Sequence, residues 1–187
     1  MLRILDEIPS DSFARELLLD EAFGADRIAK TCERLREFRE PAHGLALVAK
    51  HAGQLVGTLR FWNIDAGGCP ALLLGPIAVS EQNRGLGLGG EMIRRGLTLA
   101  GALGHNAVIL VGDAPYYCRF GFERRLAANL DLPGPYDRSR FLALELQTGA
   151  LAGVSGLVCA TGRRMPGAGN CSIFPADRTA DSEGDRA

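Results

Sequence analysis

The sequence predicts an α/β fold: one domain with a mixed, partly parallel central sheet of about six to eight strands flanked by helices. Three observations carry this. Strand-like runs recur along the chain, at Leu45 to Lys50, Leu55 to Ile64, Ala71 to Val79, Ala107 to Val111 and Phe141 to Leu146. Stretches with helical spacing of apolar residues alternate with them. The run ending at Val79 then passes through a polar turn and Gly85, Gly87, Gly89 and Gly90 directly into a helical pattern. A strand that feeds a glycine-rich turn and then a helix builds an anion site. Glycine lets the backbone approach a phosphate, and the first free N–H groups of the helix point at it.

Taken in order, Leu2 to Ile8 suits an edge strand. Ser10 or Asp11 caps a helix that carries Phe13, Leu17 and Leu18 on one face and ends near Gly24. Asp26 caps a second helix with Ile28, Cys32, Leu35 and Phe38 at three- to four-residue spacing, stopped by Pro41. The charged run Arg34, Arg36, Glu37, Arg39 and Glu40 reads as a solvated helix face. His51-Ala52-Gly53-Gln54 turns a hairpin, and Phe61 and Trp62 point to opposite faces of its second strand. The segment from Asp65 to Pro70 reads as a loop overhanging a cleft. Gly75-Pro76 interrupts the next strand, where a missing donor forces a break or bulge that can splay it from a parallel neighbour.

The helix after the glycines carries Leu88, Met92, Leu99 and Leu103 along one stripe and stops at Gly104-His105-Asn106. Asp113 caps a short helix begun by Pro115. A strand beginning at Gly121 to Arg125 follows, then a turn-rich connection from Leu130 to Pro135, and a last strand at Gly156 to Ala160. His43, His51 and His105 sit at turns or a helix end and read as structural.

Composition excludes several classes. The 187 residues suit one domain, and 47% hydrophobic with 23% charged is an ordinary globular balance. A net charge of −1 gives no footprint for nucleic acid. The five cysteines are scattered without C-x-x-C spacing, which reads as reduced thiols and neither a disulfide framework nor a metal site. No apolar run reaches a membrane span, and MLRILDEIPSDS lacks a signal-peptide core, so the expected location is cytoplasmic. A homodimer is left open.

Three phosphate signatures compete for the glycine turn. The P-loop fails because no Lys-Ser or Lys-Thr follows the glycines. The dinucleotide fingerprint can be laid on Gly85, Gly87 and Gly90, but no carboxylate stands in Gly104 to Val108, roughly twenty positions on. The third is Q-x-x-G-x-G, here Gln82-Asn83-Arg84-Gly85-Leu86-Gly87. A second stretch, Gly112 to Phe122, contains Tyr117-Cys118-Arg119-Phe120-Gly121-Phe122 as Y-x-x-x-G-F. With these two motifs in this order the chain resembles the GNAT superfamily of acetyl-CoA-dependent N-acetyltransferases.

The resemblance implies a set of roles. Arg84, Gly85, Leu86, Gly87, Leu88, Gly89 and Gly90 would hold the pyrophosphate of acetyl-CoA, with Arg84 the only cation of the turn. Ile77, Ala78 and Val79 would line the splayed cofactor strand, with main-chain bonds from Ile77 and Val79 to the pantetheine arm. Tyr117 would act as general acid toward the leaving thiolate; a phenol with a pKa near ~10 is protonated at neutral pH. The two early helices would form part of the acceptor wall. Acetyl transfer to an amine, of a small molecule or a protein, would proceed by direct attack without a metal, with Cys118 as packing. Many family members carry a Glu on the strand before the glycine turn, where this chain has Leu72, Leu73 and Leu74. The general base is therefore unassigned among Asp65, Asp113 and water. The alternative is a non-catalytic acyl-CoA-binding sensor or partner module. The expected unit is 1–162, followed by a flexible tail, 163–187.

Overall fold

The computed structural model describes residues 1–165. Its eight-stranded sheet is built from β1 (Leu2–Asp6), β2 (Ala46–His51), β3 (Gln54–Ala66), β4 (Cys69–Val79), β5 (Ala107–Val111), β6 (Leu130–Asp131), β7 (Phe141–Glu145) and β8 (Gly156–Ala160). The order is β1-β2-β3-β4-β5-β7, with β8 joining the far end of β3 and pairing with β6. β4 and β5 are parallel, as are β6 and β8; the other pairings are antiparallel. The helices are α1 (Ser12–Phe23), α2 (Thr31–Arg34), α3 (Leu88–Ala102) and α4 (Ala114–Tyr117). This is the mixed, partly parallel sheet flanked by helices that the strand and helix patterns imply.

Alternation along the strands produces two cores. Phe61, Leu72 and Val108 pack beneath α3 with Met92 and Ile93. Their neighbours Trp62, Leu73 and Ile109 face the other side with Leu35, Phe141 and Leu151. The β2–β3 hairpin pairs up to His51 and Gln54, so only Ala52 and Gly53 form the turn. Both have positive φ, 49° and 82°, the primed geometry whose twist matches that of the strands.

Several elements depart from their sequence patterns. The buried stripe of α3 is Leu88, Met92, Ile93, Gly96 and Ala100, while Leu103 is exposed beyond the helix end. Small residues, not leucines, make the closest approach: a Cβ on Gly96 would stand 2.6 Å from the Phe61 ring. Gly96→Ala should therefore cost roughly 1–2 kcal/mol, overpacking outweighing the helix-propensity gain, and should lower the denaturant midpoint.

In α1 the inward residues are Arg15, Leu18 and Leu19, and Phe13 and Leu17 are exposed. Arg15 turns inward because Glu7 on the buried side accepts it, together with Arg60. Asp11 stands at the N-cap but reaches Lys50 at 2.6 Å instead of capping through its side chain.

The second expected helix is divided. A 3-10 turn at Ala25–Ala29 and the four-residue α2 are separated by extended backbone at Lys30, and the Thr31 hydroxyl donates to the Pro135 carbonyl. The loop expected at Asp65 to Pro70 shrinks to Gly67-Gly68, because β3 and β4 pair down to Ala66 and Cys69. The strand expected at Gly121 to Arg125 is reduced to one bridge, Glu123 to Ala143, before a 3-10 turn at Arg125–Ala127. Of the expected tail, 163–165 lie against 38–40: the Glu40 amide donates to the Arg163 carbonyl and the Met165 amide to Phe38. Residues 166–187 lie outside the described residues.

Candidate active site

The parallel ladder between β4 and β5 holds only two pairs, Leu72 with Val108 and Leu73 with Ile109. Beyond them the strands part. The cause is the expected bulge: Leu59 pairs with Ile77 and Phe61 with Leu74, so Arg60 faces both Gly75 and Pro76. The Trp62 indole N–H donates to the Gly75 carbonyl at 2.5 Å and holds the bend. On the β3 side the Ser80 amide donates to the Val56 carbonyl. By alternation, Ala78 shares that direction, and the backbone groups of Ile77 and Val79 face the split. The side chain of Ala78 packs under α1 with Leu18 and Leu19.

The glycine turn follows. Gly85 and Gly87 have φ of 77° and 79°, and Gly87 is the N-cap of α3, with no side chain capping the helix. The first helical bond runs from the Glu91 amide to the Gly87 carbonyl. Among the described residues, none of the six amides from Gly85 through Gly90 has a backbone or side-chain acceptor. Such a run of unpartnered N–H groups at a helix start, with the dipole behind it, is a site for an anion. Arg84 is tied down beside it, its Nε donating to the Val79 carbonyl at 3.0 Å.

A cavity of about 520 Å³ occupies the split. Leu74 to Ile77 form one wall, Val111 to Asp113 with Tyr116 and Tyr117 the other, and Phe23, Ala29 to Glu33, Arg36 and Arg140 close it. Of the residues singled out from sequence, Ile77, Tyr117 and the base candidate Asp113 line this cavity. Arg84 through Gly90 lie outside it: Arg84 to Gly87 are exposed at the start of α3, and Leu88 and Gly90 are buried.

Asp113 caps α4 as its spacing implied, accepting the Tyr116 amide at 3.2 Å. The Tyr117 ring packs edge-on against Tyr116 and Phe122, with centroids 5.1 and 5.9 Å away. Burial pushes its phenol up to about 12, and the Tyr116 and Asp113 charges add to this while Arg140 opposes it. Gly112 makes room for the ring. A Cβ there would lie 2.7 Å from Tyr117 Cδ2 and closer still to Cε2. Gly112→Ala should shift the ring and lower kcat about tenfold or more, since small misplacements of reacting groups are costly, with little change in cofactor binding. Steady-state kinetics beside a binding titration would check this.

The charged run from Arg34 to Glu40 is solvated only in part: Arg34 and Glu37 are exposed, while Arg36 turns inward. The Arg36 side chain is only 9% exposed and pairs with Glu33 at 2.7 Å, and both line the cavity. Burial presses the Arg36 guanidinium below its ordinary pKa, and Glu33 resists that shift. Neither residue carries a sequence signal, because α2 is too short for a face to be read. Gly112, placed just before the cap Asp113, is the one residue here whose type signals a close approach. Asp65 accepts the Gly68 amide at 2.7 Å in the turn at the opposite end of β4, away from the cavity, which removes it from the general-base candidates. His43 and His51 are exposed and do not line the cavity. Burial lowers the His105 pKa, against the rise its place after a helix C-terminus would favour.

Among the described residues no cluster of three or more His, Cys, Asp or Glu side chains could hold a metal ion, and no helix is long and apolar enough to cross a membrane.

Comparison with known proteins follows the same outline. Residues 42–124 match the family model described as the acetyltransferase (GNAT) domain. The chain is 38% identical over 156 residues to the uncharacterized N-acetyltransferase YhbS of Escherichia coli K12, covering 81% of this chain and 92% of that protein. The crystal structure of Escherichia coli YhbS in complex with CoA superposes with a TM-score of 0.71 at 35% identity, covering 86% and 89% of the two chains. A GNAT family acetyltransferase from Brucella melitensis in complex with acetyl-CoA gives 0.60 at 28%, covering 78% and 88%.

Proposed function

The chain belongs to the GNAT family of acetyltransferases, and we propose that it transfers the acetyl group of acetyl-CoA to an amine by direct attack. The observation that carries this is the split between β4 and β5, which joins six unpartnered amides at one end to Tyr117 at the other. The pyrophosphate of acetyl-CoA binds Gly85 to Gly90, with Arg84 alongside. The pantetheine arm runs into the split against the main chain of Ile77 and Val79, as an added strand would. CoA and acetyl-CoA in the two similar crystal structures support the choice of ligand.

In the proposed reaction the amine nitrogen attacks the thioester carbonyl carbon, and the carbonyl electrons move onto oxygen. A free-edge N–H, that of Ile77, stabilises this oxyanion. The intermediate loses the extra N–H proton to water and collapses with cleavage of the carbon–sulfur bond, giving the amide and the CoA thiolate. An amine is largely protonated at neutral pH, so it first gives up a proton to water or to a cavity carboxylate, of which Glu33 and Asp113 are the two.

Tyr117 donates to the leaving sulfur. Its pKa of about 12 keeps it protonated throughout the physiological range. Complete transfer to a thiolate of ordinary pKa, about 8.5, is uphill by roughly 3.5 units, or about 5 kcal/mol. Tyr117 therefore acts first as hydrogen-bond donor to the developing thiolate. The cation of Arg140, which opposes the rise in its pKa, eases the transfer itself.

We assign this activity to the domain of residues 1–162 and to a cytoplasmic location. Calorimetric titration with acetyl-CoA, and in parallel NAD and ATP, tests the reading. Binding of acetyl-CoA alone, followed by amine-dependent thiol release, is expected. Binding without thiol release for any amine would favour the sensor alternative, and no acetyl-CoA binding would overturn the proposal.

A further inference from the structure

Acetyl-CoA, bound as proposed above, leaves positive charge on the cavity wall without a partner. Its phosphates lie on the amides of Gly85 to Gly90, outside the cavity, and its pantetheine arm and thioester are uncharged. Yet two guanidinium groups face the cavity with unused donors. Arg36 donates through Nε to the Cys32 carbonyl at 3.0 Å, and its Nη2 forms an ion pair with Glu33 at 2.7 Å. Its Nη1, 3.8 Å from where a Cβ on Gly75 would stand, has no partner among the described residues. Arg140, on the Tyr117 side, makes no side-chain hydrogen bond or ion pair among the described residues. Arg27, the third guanidinium of the lining, is occupied by Glu16 and Asp20.

We propose that the acceptor is a small primary amine that also carries an anionic group, a carboxylate or a phosphorus oxyanion, which Arg36 and Arg140 bind. The inference rests on the acetyl-transfer reading of the site. A mostly buried guanidinium with a free N–H gains most from an anion, because burial has already removed the water that would otherwise solvate it. Arginine's planar fork suits both carboxylate and phosphorus oxyanions. Glu33 beside Arg36 presents the opposite charge, so the pair is the complement of a molecule bearing both an ammonium and an anion. A cavity of about 520 Å³, shared with the end of the cofactor arm, sets the scale of the acceptor as a small molecule.

The test is a matched panel of amines at saturating acetyl-CoA. Amino acids and aminoalkyl phosphonates are each compared with the neutral amide or ester of the same skeleton. The anionic member of each pair is expected to have a kcat/KM at least about tenfold higher. Arg36→Gln should remove most of that advantage, mainly through KM, and Arg36→Lys should restore part of it. Arg140→Gln, at an exposed position where folding is not at stake, should narrow it in the same direction. The carboxylate and phosphonate arms show which anion the site takes.

Transfer that favours neutral or cationic amines, or Arg variants that lower both members of a pair equally, would overturn the inference and leave the acetyltransferase reading standing. Failure of the wild type to bind acetyl-CoA would overturn both.

Discussion

Gly87→Asp is expected to weaken acetyl-CoA binding by about 100-fold or more while the protein stays folded. Space is not the reason, since a Cβ at Gly87 would meet nothing within 4 Å. Charge and competition are. A carboxylate at the N-cap sits among the amides that are to hold phosphate, repels the ligand, and accepts one or two of their hydrogen bonds itself. Two charge-assisted bonds lost at about 1.5 kcal/mol each already account for a hundredfold. The residue's φ of 79° is one that Asp tolerates better than most side chains, at a cost of about 1 kcal/mol that capping largely offsets. The melting temperature should therefore move by only about 2–4 °C. Calorimetry beside thermal unfolding would separate the two effects. Unchanged affinity in a folded Gly87→Asp protein would mean that the phosphates bind elsewhere.

Tyr117→Phe should lower kcat about 100- to 10,000-fold and leave the acetyl-CoA dissociation constant nearly unchanged. The ring contacts with Tyr116 and Phe122 survive the substitution, so packing and stability are retained. Only the phenolic hydroxyl, the proposed donor to the leaving sulfur, is removed. Tyr116→Phe is the control. Its hydroxyl lies 3.1 Å from where a Cβ on Gly89 would stand, against the first turn of α3, and its loss should alter kcat by no more than a few-fold. The pH dependence gives a second check. A phenol at about 12 stays protonated well above pH 10, so no alkaline decline in wild-type kcat below about pH 10 should trace to Tyr117. A decline that disappears in Tyr117→Phe would contradict this; full activity of the variant across the profile would end the proton-donor assignment.

Local chemistry was legible along the chain because it depends on neighbours in sequence. A proline inside an apolar run has to break a ladder, and the bulge stands at Gly75-Pro76. Closely spaced glycines before a helical pattern leave amides free, and those from Gly85 to Gly90 have no acceptor among the described residues. An Asp before Ala-Pro caps a helix, and Asp113 does so. Helix faces were less legible. Large apolar residues attract the eye, yet α3 buries Gly96 and Ala100 beside Met92 and Ile93, and α1 buries Arg15 beside Leu18 and Leu19 while Phe13 and Leu17 stay exposed.

The sequence by itself determined the α/β class and the strand–glycine–helix turn, whose causes are short-range: backbone freedom, a missing donor, the period of apolar residues. Tyr117 was singled out by the family resemblance of its motif. Only the tertiary structure decided what surrounds Tyr117. It set the length of the β4–β5 ladder, removed Asp65 from the site, and brought Arg36, Glu33 and Arg140 to the cavity from segments far apart in the chain. A charged residue's surroundings are set by the elements packed against it, and a run of alternating charges reads the same whether it faces water or the wall of an active site.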